Sequence, residues 1–187
     1  MHMVQARTRW TAEMVRALPE DRNRYEVIDG DLIVSPGPSW THQIAVALLM
    51  GRLLDYLRSN RVGLLLGGPA DIEFNDATQV QPDIFVVPRG AGKVPRRWED
   101  VKKLLLVVEV LAPSSARTDR LQKRELYLDR GAQEYWVVDF DARLIERWRP
   151  GDTRPEIIPD SIEWQPEHAA APFLMNLAEY FGEVLDE

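Results

Sequence analysis

The sequence has no cysteine and no apolar run long enough to span a membrane. Disulfide bonds, thiolate metal sites and a cysteine nucleophile are therefore excluded. No signal-peptide pattern opens the chain, so we expect a cytoplasmic protein. Basic residues are in the minority, at 23 against 30 acidic ones, and the formal net charge is −7. This balance opposes non-specific binding of nucleic acid over the whole surface, but it permits a local basic groove.

What the sequence does contain is enough apolar material for one domain of ordinary size, with 45% hydrophobic residues in a chain of 187. We therefore expect a single domain over residues 1–187. An Asp-Gly pair at Asp29, between two apolar runs, predicts a β-hairpin. A long helix with Leu48, Leu54 and Leu57 on its apolar face follows. The order of hairpin, helix, three strands, helix and strands predicts a mixed α+β (α/β) fold, with helices packed on a central sheet.

The predicted bounds follow from apolar runs and from helix and turn signals. Helices are predicted at 40–58, 119–130 and 172–181, and strands at 63–74, 80–87, 104–111 and 134–140.

The strand at 104–111 is apolar at every position except Glu109. A short, continuous apolar run of this kind is typical of a strand buried on both faces. Because a buried, unpaired charge is heavily penalised, Glu109 needs a cation, a hydrogen-bond network or a metal ion as its partner. The sequence alone leaves two readings open, an active-site carboxylate and a plain salt bridge at the end of the sheet.

Two further residues favour the active-site reading. Asp83 follows Pro82 at the start of the strand that precedes the Glu109 strand, and Lys123 lies in the next helix. If the two strands pair in a suitable register, both carboxylates lie side by side, which favours Mg²⁺ or Mn²⁺ as a hard divalent ion. The lysine would then hold a water molecule or stabilise an anionic transition state.

This arrangement resembles the PD-(D/E)XK nuclease fold. Pro82-Asp83 matches the first half of its pattern, and Glu109-Val110-Leu111 matches the second half except that Leu111 stands where the pattern has lysine. In some branches of that superfamily the lysine has moved to the following helix, and Lys123 occupies such a position. Asp83, Glu109 and Lys123 are thus the candidate catalytic residues, with Asp83 and Glu109 as metal ligands.

A closer resemblance, over roughly residues 25–148, is to the Uma-two family of restriction-endonuclease-like proteins. The matching pieces are Tyr25-Glu26 with Asp29-Gly30, His42, Pro82-Asp83, Val108-Glu109-Val110 before Pro113-Ser114-Ser115, Asp119 with Lys123 and Tyr127, and Gly131 before Glu134-Tyr135-Trp136. The resemblance implies an α-β-β-β-α-β core with an added N-terminal hairpin. It also implies an endonuclease that hydrolyses DNA.

Several secondary candidates have an ordinary alternative. Glu26 is either a third acid near the metal or a solvated hairpin residue, and His42 either contacts substrate or a carboxylate or packs at its helix start. Tyr127 either orients a phosphate or packs in the core. Asp119, four residues before Lys123, has the spacing of a helix-surface ion pair.

A loop rich in glycine, proline and basic residues follows the Asp83 strand. Its basic side chains are the candidate phosphate contacts, and the alternative is a solvated loop. They are Arg89, Lys93, Arg96 and Arg97.

Three functions are compatible with these features. A homodimer is compatible with all three, and two sites related by a two-fold axis suit the cutting of both strands of a duplex. The first function is a magnesium- or manganese-dependent endonuclease acting on DNA. The second is a catalytically inactive nuclease-fold protein that binds nucleic acid or protein, which the leucine at Leu111 and the acidic composition favour. The third is an assembly role through exposed aromatic residues such as Trp98, Trp148 and Trp164.

Overall fold

The structure is a computed structural model that describes residues 8–89, 101 and 103–187. The first half contains α1 (Ala12–Arg16), β1 (Asn23–Ile28), β2 (Asp31–Pro36), α2 (Trp40–Asn60), β3 (Gly63–Gly67), β4 (Ile72–Asn75), β5 (Thr78–Val80) and β6 (Ile84–Pro88). The second half contains β7 (Leu106–Val110), α3 (Ala116–Thr118), a π-helical turn (Asp119–Lys123), α4 (Arg124–Asp129), β8 (Tyr135–Asp139), β9 (Leu144–Trp148), β10 (Glu156–Ile158), β11 (Ser161–Trp164), β12 (Phe173–Asn176) and α5 (Leu177–Leu185).

Six strands form the central sheet, in the order β10-β9-β8-β7-β6-β3. Only β7 and β8 are parallel, and the chain between them forms the helical segment from α3 to α4. A smaller antiparallel sheet has the order β2-β1-β5-β4, and β11 pairs with β12. The predicted mixed α+β fold, with a hairpin ahead of an α-β-β-β-α-β core, is confirmed.

The two faces of the central sheet are covered by different elements. On one face, Val108 and Trp136 belong to the apolar core that α2 and α5 complete. On the other face, Val107 packs with Tyr127 of α4 and with Val80 of the small sheet. Every residue of β7 is buried, including Glu109, as its otherwise apolar pattern predicts. Because side chains alternate along a strand, Glu109 lies on the Val107 face, towards α4 and the small sheet.

Two predicted strands are each divided between the two sheets. The first part of the run predicted at 63–74 forms β3 of the central sheet, which ends at Gly67. The later part forms β4, which belongs to the small sheet. Proline at Pro69 and the neighbouring glycines interrupt the ladder there. The run predicted at 80–87 likewise separates into β5 and β6 around residues 81–83. Asp83 therefore lies where the chain crosses from the small sheet into the central sheet.

Two helical predictions need correction. In α2 the buried face includes Leu49, Leu53 and Leu57, whereas Leu54 is 40% exposed. The predicted helix at 172–181 begins instead as strand β12, and α5 starts only at Leu177. Asn176 sets that start, because its side-chain oxygen accepts a hydrogen bond from the Glu179 backbone N–H and so caps the helix. None of the described helices is long and apolar enough to cross a membrane.

Candidate active site

Strand register places Asp83 beside Glu109. In the antiparallel β6–β7 pair, Ile84 lies opposite Val108, so Asp83 is one step beyond this pair, across from Glu109. The Val110 backbone N–H donates to Asp83 Oδ2 at 2.9 Å, which ties the carboxylate to the neighbouring strand. Both side chains are almost completely buried. The two acids that the sequence analysis selected thus share one pocket.

The Lys123 ammonium group lies among three carboxylates. Its Nζ is 2.9 Å from Glu26 Oε2, 3.1 Å from Glu109 Oε1 and 3.6 Å from Asp119 Oδ1. The lysine side chain is only 2% exposed. Burial alone would lower the pKa of Lys123, but the surrounding carboxylates raise it above its ordinary value, so the amine stays protonated. Lys123 therefore reaches the carboxylates from a different element, although it is remote from Glu109 in sequence.

A π-helical turn carries Asp119 and Lys123 into the pocket. Both residues belong to this turn and both are buried, although their i, i+4 spacing is also that of a surface ion pair. Turns of this type are frequent at functional sites. Because Asp119 is buried, the alternative of an ion pair on the helix surface is wrong. Ser115 Oγ donates a hydrogen bond to Asp119 Oδ2 at 2.6 Å. Asp119 Oδ1 is buried without a hydrogen-bond partner in the described part of the chain.

A second cation neutralises Asp83. Arg24 Nη2 donates to Asp83 Oδ1 at 2.9 Å, and Nη1 donates to the Gln81 carbonyl at 3.2 Å. His42 Nε2 lies 3.1 Å from Asp83 Oδ2, so the carboxylate-contact alternative for His42 holds. Sequence reasoning missed Arg24. The available signal was the alternation of β1, which places Arg24 on the same strand face as Glu26.

The two central carboxyl groups have opposite pKa shifts. Burial would raise the pKa of Asp83, but the hydrogen bond from His42 and the charge of Arg24 lower it below its ordinary value. Burial raises the pKa of Glu109 well above its ordinary value, and neighbouring carboxylates such as Asp83 add to this shift, although Lys123 opposes it. Asp83 therefore stays ionised at neutral pH, whereas the pKa of Glu109 is shifted in the opposite direction. Carboxyl groups with separated pKa values are typical of active sites.

One side-chain hydroxyl and one backbone amide also donate hydrogen bonds to the acids. Tyr127 Oη donates to Glu109 Oε1 at 3.2 Å, so Tyr127 packs in the core and also contacts the candidate site. The Gln81 backbone N–H donates to Glu26 Oε1 at 2.7 Å. Glu26 is 1% exposed, which rules out its alternative as a solvated hairpin residue.

The chemistry of these donors suits a hard divalent cation. Mg²⁺ binds one or two carboxylates and completes its shell with water and phosphate oxygens. Asp83 and Glu109 supply two carboxylates, and Asp119 Oδ1, which has no hydrogen-bond partner among the described residues, supplies a further oxygen in the same cavity, which measures about 30 Å³. Within the described residues, no group of three His, Asp or Glu side chains is arranged to hold a metal ion. Arg24 and Lys123 already neutralise the carboxylates, so an ion would compete with them.

The predicted phosphate-binding loop does not lie beside these acids as far as it is described. Arg89 follows β6 and is exposed, and its backbone N–H donates to the Val62 carbonyl. It is thus at the opposite end of β6 from Asp83, about 20 Å away at the usual rise per strand residue. The other three basic residues lie outside the described residues; they are Lys93, Arg96 and Arg97.

The aromatic residues of the assembly hypothesis are not exposed where they are described. Trp148 is 6% exposed and Trp164 is 2% exposed. The Arg124 guanidinium covers the Trp148 ring, with 4.6 Å between its carbon and the ring centroid. The expectation of an exposed aromatic surface at these two positions is wrong, and Trp98 lies outside the described residues.

Comparison with known proteins agrees with this architecture. A solved structure from Anabaena variabilis ATCC 29413, described as a "putative nuclease", aligns with 93% of this chain and 98% of its own, with a TM-score of 0.75 and 20% identity. At this identity the likeness concerns the fold. No curated protein matches the chain. A family model described as "putative restriction endonuclease" matches residues 12–175. Because this match spans most of the chain, the protein belongs to that family, the Uma-two family.

Proposed function

We propose that the protein is a metal-dependent endonuclease that hydrolyses phosphodiester bonds in DNA, with residues 1–187 acting as one PD-(D/E)XK domain. The observation that carries this proposal is the convergence of three side chains on one cavity: Asp83 from the residue before β6, Glu109 from β7 and Lys123 from the π-helical turn. Two acids and one amine in such a cavity are the groups that metal-assisted phosphodiester hydrolysis requires. Membership of the family supports the same reaction class.

Asp83 and Glu109 are the proposed ligands of the ion. Asp83 is suited to this role because it remains ionised, and its contact with the Val110 N–H holds the carboxylate in position. A bound Mg²⁺ or Mn²⁺ would polarise the phosphate and lower the pKa of a coordinated water. Glu109 would bind the ion only in its ionised form. Lys123 and Tyr127 donate hydrogen bonds that stabilise this form, so both also act as positioning residues for Glu109.

Lys123 is the proposed electrostatic catalyst. Its ammonium group is protonated and fixed by Glu26 and Glu109, so its orientation needs no rearrangement during the reaction. From this position it would hold the attacking water or offset the negative charge that grows on the phosphate oxygens. Glu26 then serves as the residue that aims the amine, and His42 as the residue that orients Asp83.

Plasmid nicking in the presence of Mg²⁺ or Mn²⁺ tests the reaction. We expect wild type to nick the plasmid. Asp83→Asn and Lys123→Met should each nick it at least 100-fold more slowly, because each removes one group that stabilises the transition state electrostatically. Asp55→Asn is the matched control, because this exposed aspartate lies on α2 in a surface ion pair with Arg58. Circular dichroism verifies that each variant is folded. Equal activity in all four proteins would identify a contaminant and remove the proposal.

One observation favours a second function, a binding protein that has kept the nuclease fold without its chemistry. Leu111 replaces the motif lysine, and every carboxylate of the site already has a cation or a donor within the protein. Calorimetric titration with Mn²⁺ separates the two functions. A site that is present in wild type and lost in Glu109→Gln supports the nuclease, whereas no binding at millimolar Mn²⁺ supports the binding protein.

The same proposal includes a cytoplasmic homodimer. Two copies related by a two-fold axis would present two active sites to the two strands of a duplex. Sedimentation analysis tests this part, since a monomer at micromolar concentration would contradict it.

A further inference from the structure

A cleft of about 230 Å³ adjoins the buried cavity of the carboxylates. The cleft and the cavity have four lining residues in common, which are Arg24, Pro38, His42 and Asp83. The cleft extends from these residues to side chains that are exposed to solvent, among them Arg22 and Gln43. It therefore connects the candidate active site with the surface between β1 and the first turn of α2.

Several side chains that line this cleft are hydrogen-bond donors with unused capacity. A guanidinium group has five N–H donors, and among the described residues Arg24 donates to two acceptors, the Asp83 carboxylate and the Gln81 carbonyl. Its side chain is 21% exposed, so part of the group remains accessible. Arg22 forms no ion pair within the described part of the chain, and the Gln43 side chain has no hydrogen-bond partner there. Two aspartates also line the cleft: Asp83 is paired with Arg24, and Asp21 accepts hydrogen bonds from the Asn23 backbone N–H and the Tyr25 hydroxyl.

His42 provides an independent indication that the cleft binds a ligand. Its ring is 4% exposed and lines both the cavity and the cleft, yet Nδ1 has no hydrogen-bond partner in the described structure. An unsatisfied buried polar atom costs free energy comparable to a lost hydrogen bond, so native proteins retain few of them without a reason. A ligand or its ordered water in the cleft would satisfy this nitrogen.

We propose that this cleft binds the phosphate backbone of a nucleic-acid strand, with Arg24 holding the phosphate next to the one that is cleaved. Arginine is suited to this task because its planar fork matches two phosphate oxygens while it retains a contact with Asp83. Arg22 adds a second positive charge at the outer end of the cleft. The proposal rests on the nuclease function and adds to it the path by which the strand reaches the acids.

Binding measured without a divalent ion tests the cleft separately from the reaction. The probe is a short, single-stranded, fluorescein-labelled oligonucleotide in EDTA, and the readout is fluorescence anisotropy over a range of salt concentrations. We expect Arg22→Gln and Arg24→Gln each to weaken binding about tenfold and to reduce the salt slope by about 0.7, the value for one lost phosphate contact on a single strand. Gln43→Glu should weaken binding by a similar factor, because it places a negative charge in the cleft.

Gln43→Glu also answers the objection that Arg24→Gln leaves Asp83 unpaired and unfolds the protein. Gln43 is exposed, so this variant is expected to fold. Gln133→Glu is the matched control, because it makes the same charge change at an exposed position before β8, at the opposite end of the parallel β7–β8 pair from the site. Weakened binding in the cleft variants with an unchanged control supports the proposal.

Equal affinity in wild type, Gln43→Glu and Gln133→Glu would overturn the cleft proposal, and so would an absence of binding by wild type at tens of micromolar protein. Neither result depends on cleavage. A protein that nicks plasmid but shows no effect of Gln43→Glu would keep its nuclease function and lose this cleft. A protein that binds through the cleft but never nicks would keep the cleft and lose the nuclease.

Discussion

Arg24 and Glu26, two positions apart on β1, engage opposite charges of the same site. Arg24 Nη2 donates to Asp83 Oδ1 at 2.9 Å, and Glu26 Oε2 lies 2.9 Å from Lys123 Nζ. One strand of the small sheet thus supplies the cation for one proposed metal ligand and the anion that holds the proposed catalytic amine. The small sheet is therefore part of the site and not an appendage to the nuclease core.

Removing the charge of Glu26 should destabilise the protein. In Glu26→Gln the buried ammonium of Lys123 keeps Glu109 and Asp119 as partners, so we expect a loss of about 1–3 kcal/mol rather than the larger cost of a fully unpaired charge. Urea unfolding measures it. The exposed Glu163→Gln is the control, with an expected change within about 0.5 kcal/mol. Equal stability of both variants would show that Glu26 is not a significant partner of the lysine.

Removing the ammonium should make stability depend more strongly on pH. In Lys123→Met three buried carboxylates lose their common cation, and at neutral pH we expect a loss of about 3–5 kcal/mol. Burial already raises the pKa of Glu109, and loss of the lysine would raise it further. A carboxyl whose pKa is raised by folding stabilises the protein below its unfolded pKa, and this contribution disappears as the pH rises through the folded pKa.

The difference in melting temperature between wild type and Lys123→Met should therefore grow as the pH rises from about 4 towards neutrality. Thermal unfolding at a series of pH values measures it. A difference that is constant across this range would mean that the lysine and the carboxylates do not interact in the folded protein.

The hydroxyl of Tyr127 should affect metal binding as well as the stability of the fold. Tyr127→Phe removes the hydrogen bond to Glu109 Oε1, at an expected cost of about 0.5–1.5 kcal/mol. The matched control is Tyr180→Phe, which removes a buried hydrogen bond to the Ala45 carbonyl on the other side of the molecule. Both variants should lose similar stability, but only Tyr127→Phe should weaken calorimetric Mn²⁺ binding. Equal metal affinity in the two variants would argue against an influence of Tyr127 on Glu109.

Adjacent leucines of α2 should differ sharply in their effect on stability. Leu53 is completely buried, whereas Leu54 is 40% exposed. We expect Leu53→Ala to cost about 2–5 kcal/mol through lost burial and the remaining cavity, and Leu54→Ala to cost about 0.5 kcal/mol. Chemical denaturation distinguishes them. The reverse order would mean that α2 presents the face predicted from its periodicity and not the face seen in the structure.

Local pattern was sufficient for several elements of this protein. The buried strand around Glu109 follows from its apolar run, the hairpin from Asp29-Gly30, and the end of α4 from Gly131, whose positive φ of 84° suits glycine. The pairing of Asp83 with Glu109 was also predictable, because strands adjacent in sequence are commonly adjacent in a sheet. These features depend on residues close together in the chain.

The identity of each charge partner was decided only by the tertiary structure. The spacing of Asp119 and Lys123 is also that of a surface ion pair, and the sequence did not decide whether Glu26 is a site residue or a solvated hairpin residue. In the structure both acids contact Lys123 in the core. Alternation along β1 places Arg24 on the same face as Glu26, but it does not identify Asp83 as its partner. Strand periodicity also did not reveal that the runs at 63–74 and 80–87 change sheets. The reason is physical: alternation states which face of a strand a side chain occupies, whereas the partner it meets there depends on how separate sheets and helices pack, and that is set by contacts between residues far apart in the chain.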